Sequence, residues 1–391
     1  MQRVAGTVLL LVLVAGRGIA QEWRPGTDVE LVRRAAAHRA ARDADTLLNA
    51  WQAEAHGIIR SASVLDHGNG PVERVIKADE LRVEVYGESP NRSKQIIRAW
   101  RDTSFLPNRI NYHRDHLGIV ANDFGPMIRL GQGEEVRDVP HPLSPAGLAS
   151  YQFAMGDTVT IRSPKGRTRV VTVRVRPADP DSSGTVGTMY LDADRAALVR
   201  FDFTFTPASY RDATVEAITV TLENGLQQNT RWLPWRQSIV IRRGIPVFDI
   251  PIRTVIRGDW TIDNYELGVQ HPPNRFTGPY LVGPRGPQIG GRWDGALAGL
   301  LDALPAADAD VANVEQTAAA ELGGRLLDGL PRTRILAGGI SDLIRVNRVE
   351  GVTPALGMRV ALGGSLVLRG RVGVGLSDHR MVGSGSLERT A

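Results

Sequence analysis

Hydrophobic and polar positions change their spacing twice along the chain. From Thr27 to Trp51, apolar residues recur every three or four positions: Val29, Val32, Ala36, Ala40, Ala44, Leu47, Leu48 and Trp51. That spacing predicts one amphipathic helix, with Arg33, Arg34, Arg39, Arg42 and Asp43 mostly off its stripe. Thr27 and Glu30 stand at capping-box spacing before it. From His56 to Leu267 the period becomes two. Lys77 to Tyr86, Ser93 to Trp100, Thr168 to Arg176, Ala197 to Phe205, Thr214 to Leu222 and Ser238 to Arg242 alternate as strands. Asp192 to Asp194 and Asn224-Gly225 supply turn signals. Successive strands without helices between them imply an antiparallel meander. A lone helix beside it needs an apolar face to lie on, so a curved sheet around that helix is expected.

Two Pro- and Gly-rich stretches interrupt the pattern. Gly131 to Gly147 reads as a loop or a seam between two halves of the sheet, and His271 to Gly291 as a stiff connector. Ala296 to Leu330 reads as helical with a break near Pro305, its apolar face made by Val311, Val314, Ala318, Leu322 and Leu326. Period two then returns. Leu356, Met358, Val360 and Leu362 share one side, and after Gly363-Gly364 so do Leu366, Leu368, Val372, Val374 and Leu376. Apolar outward and small or polar inward is the alternation of a transmembrane β-barrel strand. Leu356, Met358, Val360, Leu366, Leu368, Val372 and Val374 would be its lipid face.

The expected class is therefore α+β. A helix packs on a curved antiparallel sheet over 27–270, a Pro-rich connector and helical segment cover 271–345, and the first strands of an incomplete barrel cover 346–391. Residues 1–20 read as a signal peptide: Arg3, an apolar run from Val4 to Ala15, and a small-residue cleavage site at Gly18-Ile19-Ala20. With that signal, export across the inner membrane is expected, and with the final strands an outer-membrane location with a periplasmic domain. Two strands cannot close a barrel, so the chain reads as a fragment whose contact with membrane lipid would come through missing strands.

Composition narrows the chemistry. The chain has 391 residues and no cysteine, which excludes lipid attachment at Cys, disulfides and thiol chemistry. Its net charge of +5 is carried almost wholly by arginines interspersed with acidic residues, so no nucleic-acid partner is expected. No GxGxxG or Walker loop is present, and no cofactor is expected. His113, Asp115 and His116 are the best metal-like cluster, but on a strand His116 points away from the other two. His141 near Ser144 has no acidic orienter and no GxSxG elbow. Glu134, Glu135 and Asp138 read as a solvated loop. No metal ligands and no catalytic residues are assigned. Trp232 and Trp235, flanking Pro234, with Phe201 and Phe203, are the candidate surface for a ligand or partner.

Three stretches carry a family resemblance: Val29 to Ser63; Tyr151 to Tyr210 followed by Arg231 to Ile241; and Asp342 to Gly351. With these the chain resembles an uncharacterised family of outer-membrane proteins in which a periplasmic α+β region precedes a surface-antigen-type β-barrel. A carboxypeptidase-regulatory-like domain often stands in front and is absent here. The resemblance implies location and architecture and no catalytic residues. The helix-and-sheet pattern is also similar to periplasmic lipoprotein carriers. The expected function is a non-enzymatic outer-membrane protein whose periplasmic domain binds a protein partner or an apolar ligand beside the barrel. The alternatives are a soluble periplasmic carrier of lipid or lipoprotein, and a periplasmic hydrolase.

Overall fold

The computed structural model describes residues 22–42, 45–66, 71–89, 92–104, 125–130, 135–163, 166–227, 231–244, 252–284, 297, 308–323, 329–330, 333–336, 344–347, 351–363, 366–376 and 380–389. Among these, 62% lie in strands and 15% in helices, so the protein is mainly β and the α+β expectation is corrected. The strands are β1 (Arg24–Pro25), β2 (Ala50–Asp66), β3 (Pro71–Glu88), β4 (Arg92–Ser104), β5 (Met127–Ile128), β6 (Val139–Pro140), β7 (Tyr151–Ser163), β8 (Gly166–Pro177), β9 (Thr185–Asp192) and β10 (Leu198–Phe205). They continue with β11 (Val215–Gln227), β12 (Arg231–Arg243), β13 (Ile252–Leu267), β14 (Leu281–Val282), β15 (Thr333–Leu336), β16 (Ile344–Asn347), β17 (Gly351–Gly363), β18 (Leu366–Val374) and β19 (Met381–Arg389). The helices are α1 (Glu30–Arg42), α2 (Pro145–Ser150) and α3 (Asp308–Glu321).

The expected 25-residue helix stops halfway, at Arg42. Thr27 Oγ1 donates to Asp28 and Glu30 pairs with Arg33, so the capping box does not form; the first helical bond runs from Arg33 N to the Val29 carbonyl. Asp45 then caps a short 3-10 turn by accepting from Leu47 N at 3.0 Å, and Trp51 joins β2 opposite Gly87. Pairing with β3 outcompetes the helical periodicity there, because a strand packs Trp51 against Gly87 and satisfies its backbone together. The expected helical stretch Ala296 to Leu330 is represented, among described residues, by α3, with Val311, Val314 and Ala318 buried on one side and Leu322 just beyond it.

Twelve strands form one sheet in the order β1-β7-β8-β9-β10-β11-β12-β13-β2-β3-β4-β14. All its pairings are antiparallel except the short parallel contact of β14 with β4. Neighbours are sequential hairpins except for β1 on β7, β14 on β4 and β13 on β2, the last joining the two long runs of hairpins into one sheet. Asn224 and Gly225, read as a turn, lie inside β11, where the register shifts by a bulge opposite β12.

Register rows run straight across the sheet. One joins Met155, Val173, Met189, Phe201, Leu222, Gln237, Trp260, Gly57, Leu81 and Trp100. Side chains of one row share a face. This inner face carries the main core, and α1 covers it with Val29, Val32 and Ala35. Residues 125–130 and 135–143 cover it too, through Ile128, Leu130, Val136, Val139 and Leu143. Gly131 to Gly147 was expected as a loop or a seam between two halves of the sheet; its described part packs Val136, Val139 and Leu143 into the core.

The outer face is closed in part by α3. Val311 packs with Val64, Val240 and Val255, and Ala318 and Leu322 with Val186. Glu315 accepts from Thr219 Oγ1 at 3.0 Å and pairs with Arg242, and Glu321 pairs with Arg174.

The last strands make a separate antiparallel sheet in the order β15-β17-β18-β19, with β16 also on β17. The described strands form an open sheet of five and lend the barrel expectation no support. The alternation that suggested a barrel is equally that of a sheet covered on one face only.

Candidate functional site

The inner face is built by period two acting on each strand. Phe201, Phe203 and Phe205 on β10 form an aromatic ladder: the first two rings stack with centroids 4.4 Å apart, and the next pair meets edge-on at 5.5 Å. Tyr210 continues it at 6.4 Å, and the fully buried His141 ring lies 6.0 Å from Phe201. Ile218, Val220, Ile239 and Ile241 extend the apolar surface across β11 and β12.

Beyond β12 the floor changes character. Ala53, Ala55 and Gly57 on β2, with Gly258 on β13, bring little side-chain volume. Large rings lie over glycines instead. A Cβ on Gly57 would fall 2.2 Å from Trp260 Cε3, and one on Gly87 would fall 2.3 Å from Trp51 Cε2. Trp51 meets Tyr265 at 5.8 Å, and Tyr265 donates to the Pro234 carbonyl at 2.6 Å. Leu31, Ala36, Trp51, Leu198 and Tyr265 are only partly buried against the core, so they form its accessible margin.

A polar island interrupts this face at β2–β4. The rows Ile241–Ile256–Ser61–Lys77 and Ile239–Gly258–Ile59–Asp79 turn from apolar to polar at their β2–β3 end. Asp79 is fully buried; Trp100 Nε1 donates to its Oδ1 at 2.7 Å, and Lys77 Nζ lies 3.5 Å from its Oδ2. Ser61 Oγ and Trp260 Nε1, in residues 5% and 4% exposed, have no hydrogen-bond partner among the described residues. A buried polar group left so costs about 1–3 kcal/mol. One signal for this island was legible: Asp79 falls in the apolar phase of its own strand, with Leu81, Val83 and Val85.

The candidate residues from the sequence do not meet at one place. Phe201 and Phe203 lie in the interior of the inner face, Trp232 is half-buried, and Trp235 is 44% exposed. His141 Nδ1 accepts from Leu143 N at 3.0 Å, and Ser144 is the cap of α2, accepting from Gly147 N at 3.1 Å. Glu135 pairs with Arg243, while Asp138 takes Arg129 Nε at 2.9 Å. His113, Asp115, His116 and Glu134 lie outside the described residues, as does the signal segment. Among described residues, no three His, Cys, Asp or Glu side chains are placed to hold a metal ion.

The seven residues proposed as a lipid face fall on one side of the C-terminal sheet. Leu356 stands opposite Val372 and Val360 opposite Leu368, with Met358, Leu366 and Val374 alongside. All are exposed except Val360, which is half-buried; β19 adds Leu387 opposite Leu368 and Met381 opposite Val374. The other side carries Thr353, Arg359 and Val367, all buried. Among described residues, no helix is long and apolar enough to cross a membrane.

No protein-family model and no curated protein matches the chain. Several solved structures show likeness, among them the following three. A candidate outer-membrane lipoprotein-sorting protein domain from Vibrio parahaemolyticus is 12% identical, with a TM-score of 0.27 over 63% of this chain and 95% of that one. A DUF1329 family protein from Desulfovibrio piger is 12% identical, with a TM-score of 0.25 over 63% of this chain and 98% of that one. A lipovitellin structure that concerns lipid–protein interactions is 10% identical, with a TM-score of 0.28; the match spans 58% of this chain and about a quarter, 26%, of lipovitellin.

Proposed function

We propose that this protein is a non-enzymatic carrier of an apolar, acyl-chain ligand, a lipid or a lipid-bearing protein, held against the inner face of the twelve-stranded sheet. One observation carries the reading: the relation of that face to its cover. Strands lie about 4.8 Å apart, so twelve of them span roughly 50 Å. The 13-residue α1 is about 20 Å long and about 10 Å across. That helix and residues 125–130 and 135–143 are the described cover, and the margin of Leu31, Ala36, Trp51 and Tyr265 is only partly buried. Beside that margin the floor is made of the small residues Ala53 and Ala55, both buried, next to Gly57, which the Trp260 ring covers. The proposed setting is the cell envelope, on the far side of the inner membrane.

Titration with diphenylhexatriene, a rod-like hydrocarbon fluorescent only out of water, tests this. The expected result is saturable binding near one probe per chain, abolished by Ala55→Leu in a variant that keeps its near-ultraviolet circular dichroism. Absence of saturable binding to the unaltered protein would overturn the reading.

A further inference from the structure

We propose that the ligand is an amphiphile rather than a plain hydrocarbon, with an acceptor head, such as a carboxylate, seated at Ser61 beside Lys77. This rests on the carrier reading and adds the chemical class of its ligand. Ser61 lies on the inner face two residues from Ile59, opposite Ile256 on one side and Lys77 on the other. Its hydroxyl is buried without a hydrogen-bond partner among the described residues. A hydroxyl offers one donor and two acceptor positions, and an ammonium three donors. A head with negatively charged oxygens uses both groups together. Charge-assisted hydrogen bonds of that kind are roughly twice as strong as neutral ones.

The surroundings favour this position over the indole of Trp260, a second donor on this face without a partner among the described residues. Trp260 Nε1 lies two register rows away, roughly 13 Å along the strand, between Gln237 and Gly57 with no cation opposite. At Ser61 the cation is already held in place. Lys77 leans on Asp79, whose other oxygen is held by Trp100, so the ammonium is positioned before any ligand arrives. From Ser61 toward the start of β2 the inner face offers Ile59, Gly57, Ala55 and Ala53 in succession. A chain anchored at Ser61 would pass beside the Trp260 ring, which covers Gly57, to reach Ala55, Ala53 and the Trp51 margin, about 30 Å in extended strand length.

Two fluorescent probes separate the head from the chain: cis-parinaric acid, a polyene fatty acid, and diphenylhexatriene, which has no polar atom. In the unaltered protein parinaric acid is expected to bind saturably and more tightly. Ser61→Ala should weaken parinaric acid roughly tenfold to a hundredfold, the effect of losing one charge-assisted hydrogen bond, and leave diphenylhexatriene unchanged. The double variant Lys77→Met/Asp79→Asn, which removes both charges together, should do the same. Unchanged parinaric acid affinity in both variants overturns the inference while the carrier reading stands. Failure of both probes to bind the unaltered protein overturns the carrier reading, and this inference with it.

Discussion

At the scale of single residues, the fold turns on places where a side chain is absent. Gly57 is the clearest case, because the Trp260 ring occupies the space a Cβ would need. Gly57→Ala should cost about 1–3 kcal/mol through overpacking, measured by urea unfolding followed by tryptophan fluorescence. Tyr210 gives a second test. Its phenol is buried and accepts from Ile218 N at 3.1 Å, and burial pushes its pKa up from 10.0 to about 12. Here the folded state holds the proton more tightly than the unfolded state. The stability this contributes is complete below pH ~10 and is lost as pH rises from there to ~12. Tyr210→Phe should therefore flatten the fall in unfolding free energy between pH 9 and 12 by roughly 2–3 kcal/mol. Equal pH slopes in the two proteins would show that the phenol does not titrate in this way. Neither residue was legible as special in the sequence. Gly57 sits among residues of no clear alternation, and Tyr210 follows a strand without sharing its period.

At the scale of elements, alternation located the strands and misjudged the helices. Lys77–Tyr86, Ser93–Trp100 and Thr168–Arg176 each fall inside an observed strand. Their pattern is local, since each strand faces core on one side and something more polar on the other. The helix expected to reach Trp51 ended at Arg42, because the apolar residues beyond it serve a sheet partner distant in sequence. Gly131 to Gly147 reads as a loop or a seam between two halves of the sheet, yet Val136, Val139 and Leu143 within it are core residues. Irregular backbone has no period by which such a role can be read. The α3 helix carries a prediction of its own. It packs on the face opposite the proposed ligand, so Val314→Asp should detach it without touching that site. Hydrogen exchange should show loss of protection in α3, with diphenylhexatriene affinity unchanged; a loss of probe binding would mean that the two faces are coupled.

At the scale of the whole molecule, the two sheets present opposite situations. The large sheet buries its aromatic ladder, whereas the C-terminal sheet leaves Leu356, Met358, Leu366, Leu368, Val372, Val374, Met381 and Leu387 exposed on one side. Exposed apolar patches beyond roughly 300–600 Å² are unusual on an isolated chain and promote association in water. Leu356→Glu with Leu368→Glu should accordingly reduce light scattering of the detergent-free protein, while leaving parinaric acid binding at the other sheet intact. Scattering that stays the same would place the cause of association elsewhere.

The sequence by itself determined the positions of most strands, the apolar side of each and the shared face of the last two amphipathic segments. These follow from periodicity, which is a property of neighbouring residues. Only the tertiary structure decided that β13 closes onto β2, that one helix shrinks in favour of a strand, and that the molecule is mainly β. It alone brought Ser61, Lys77, Asp79 and Trp100 from three strands into one polar island. Register between distant strands sets that meeting. Each candidate pairing satisfies the backbone equally well, and the burial of whole faces selects among them.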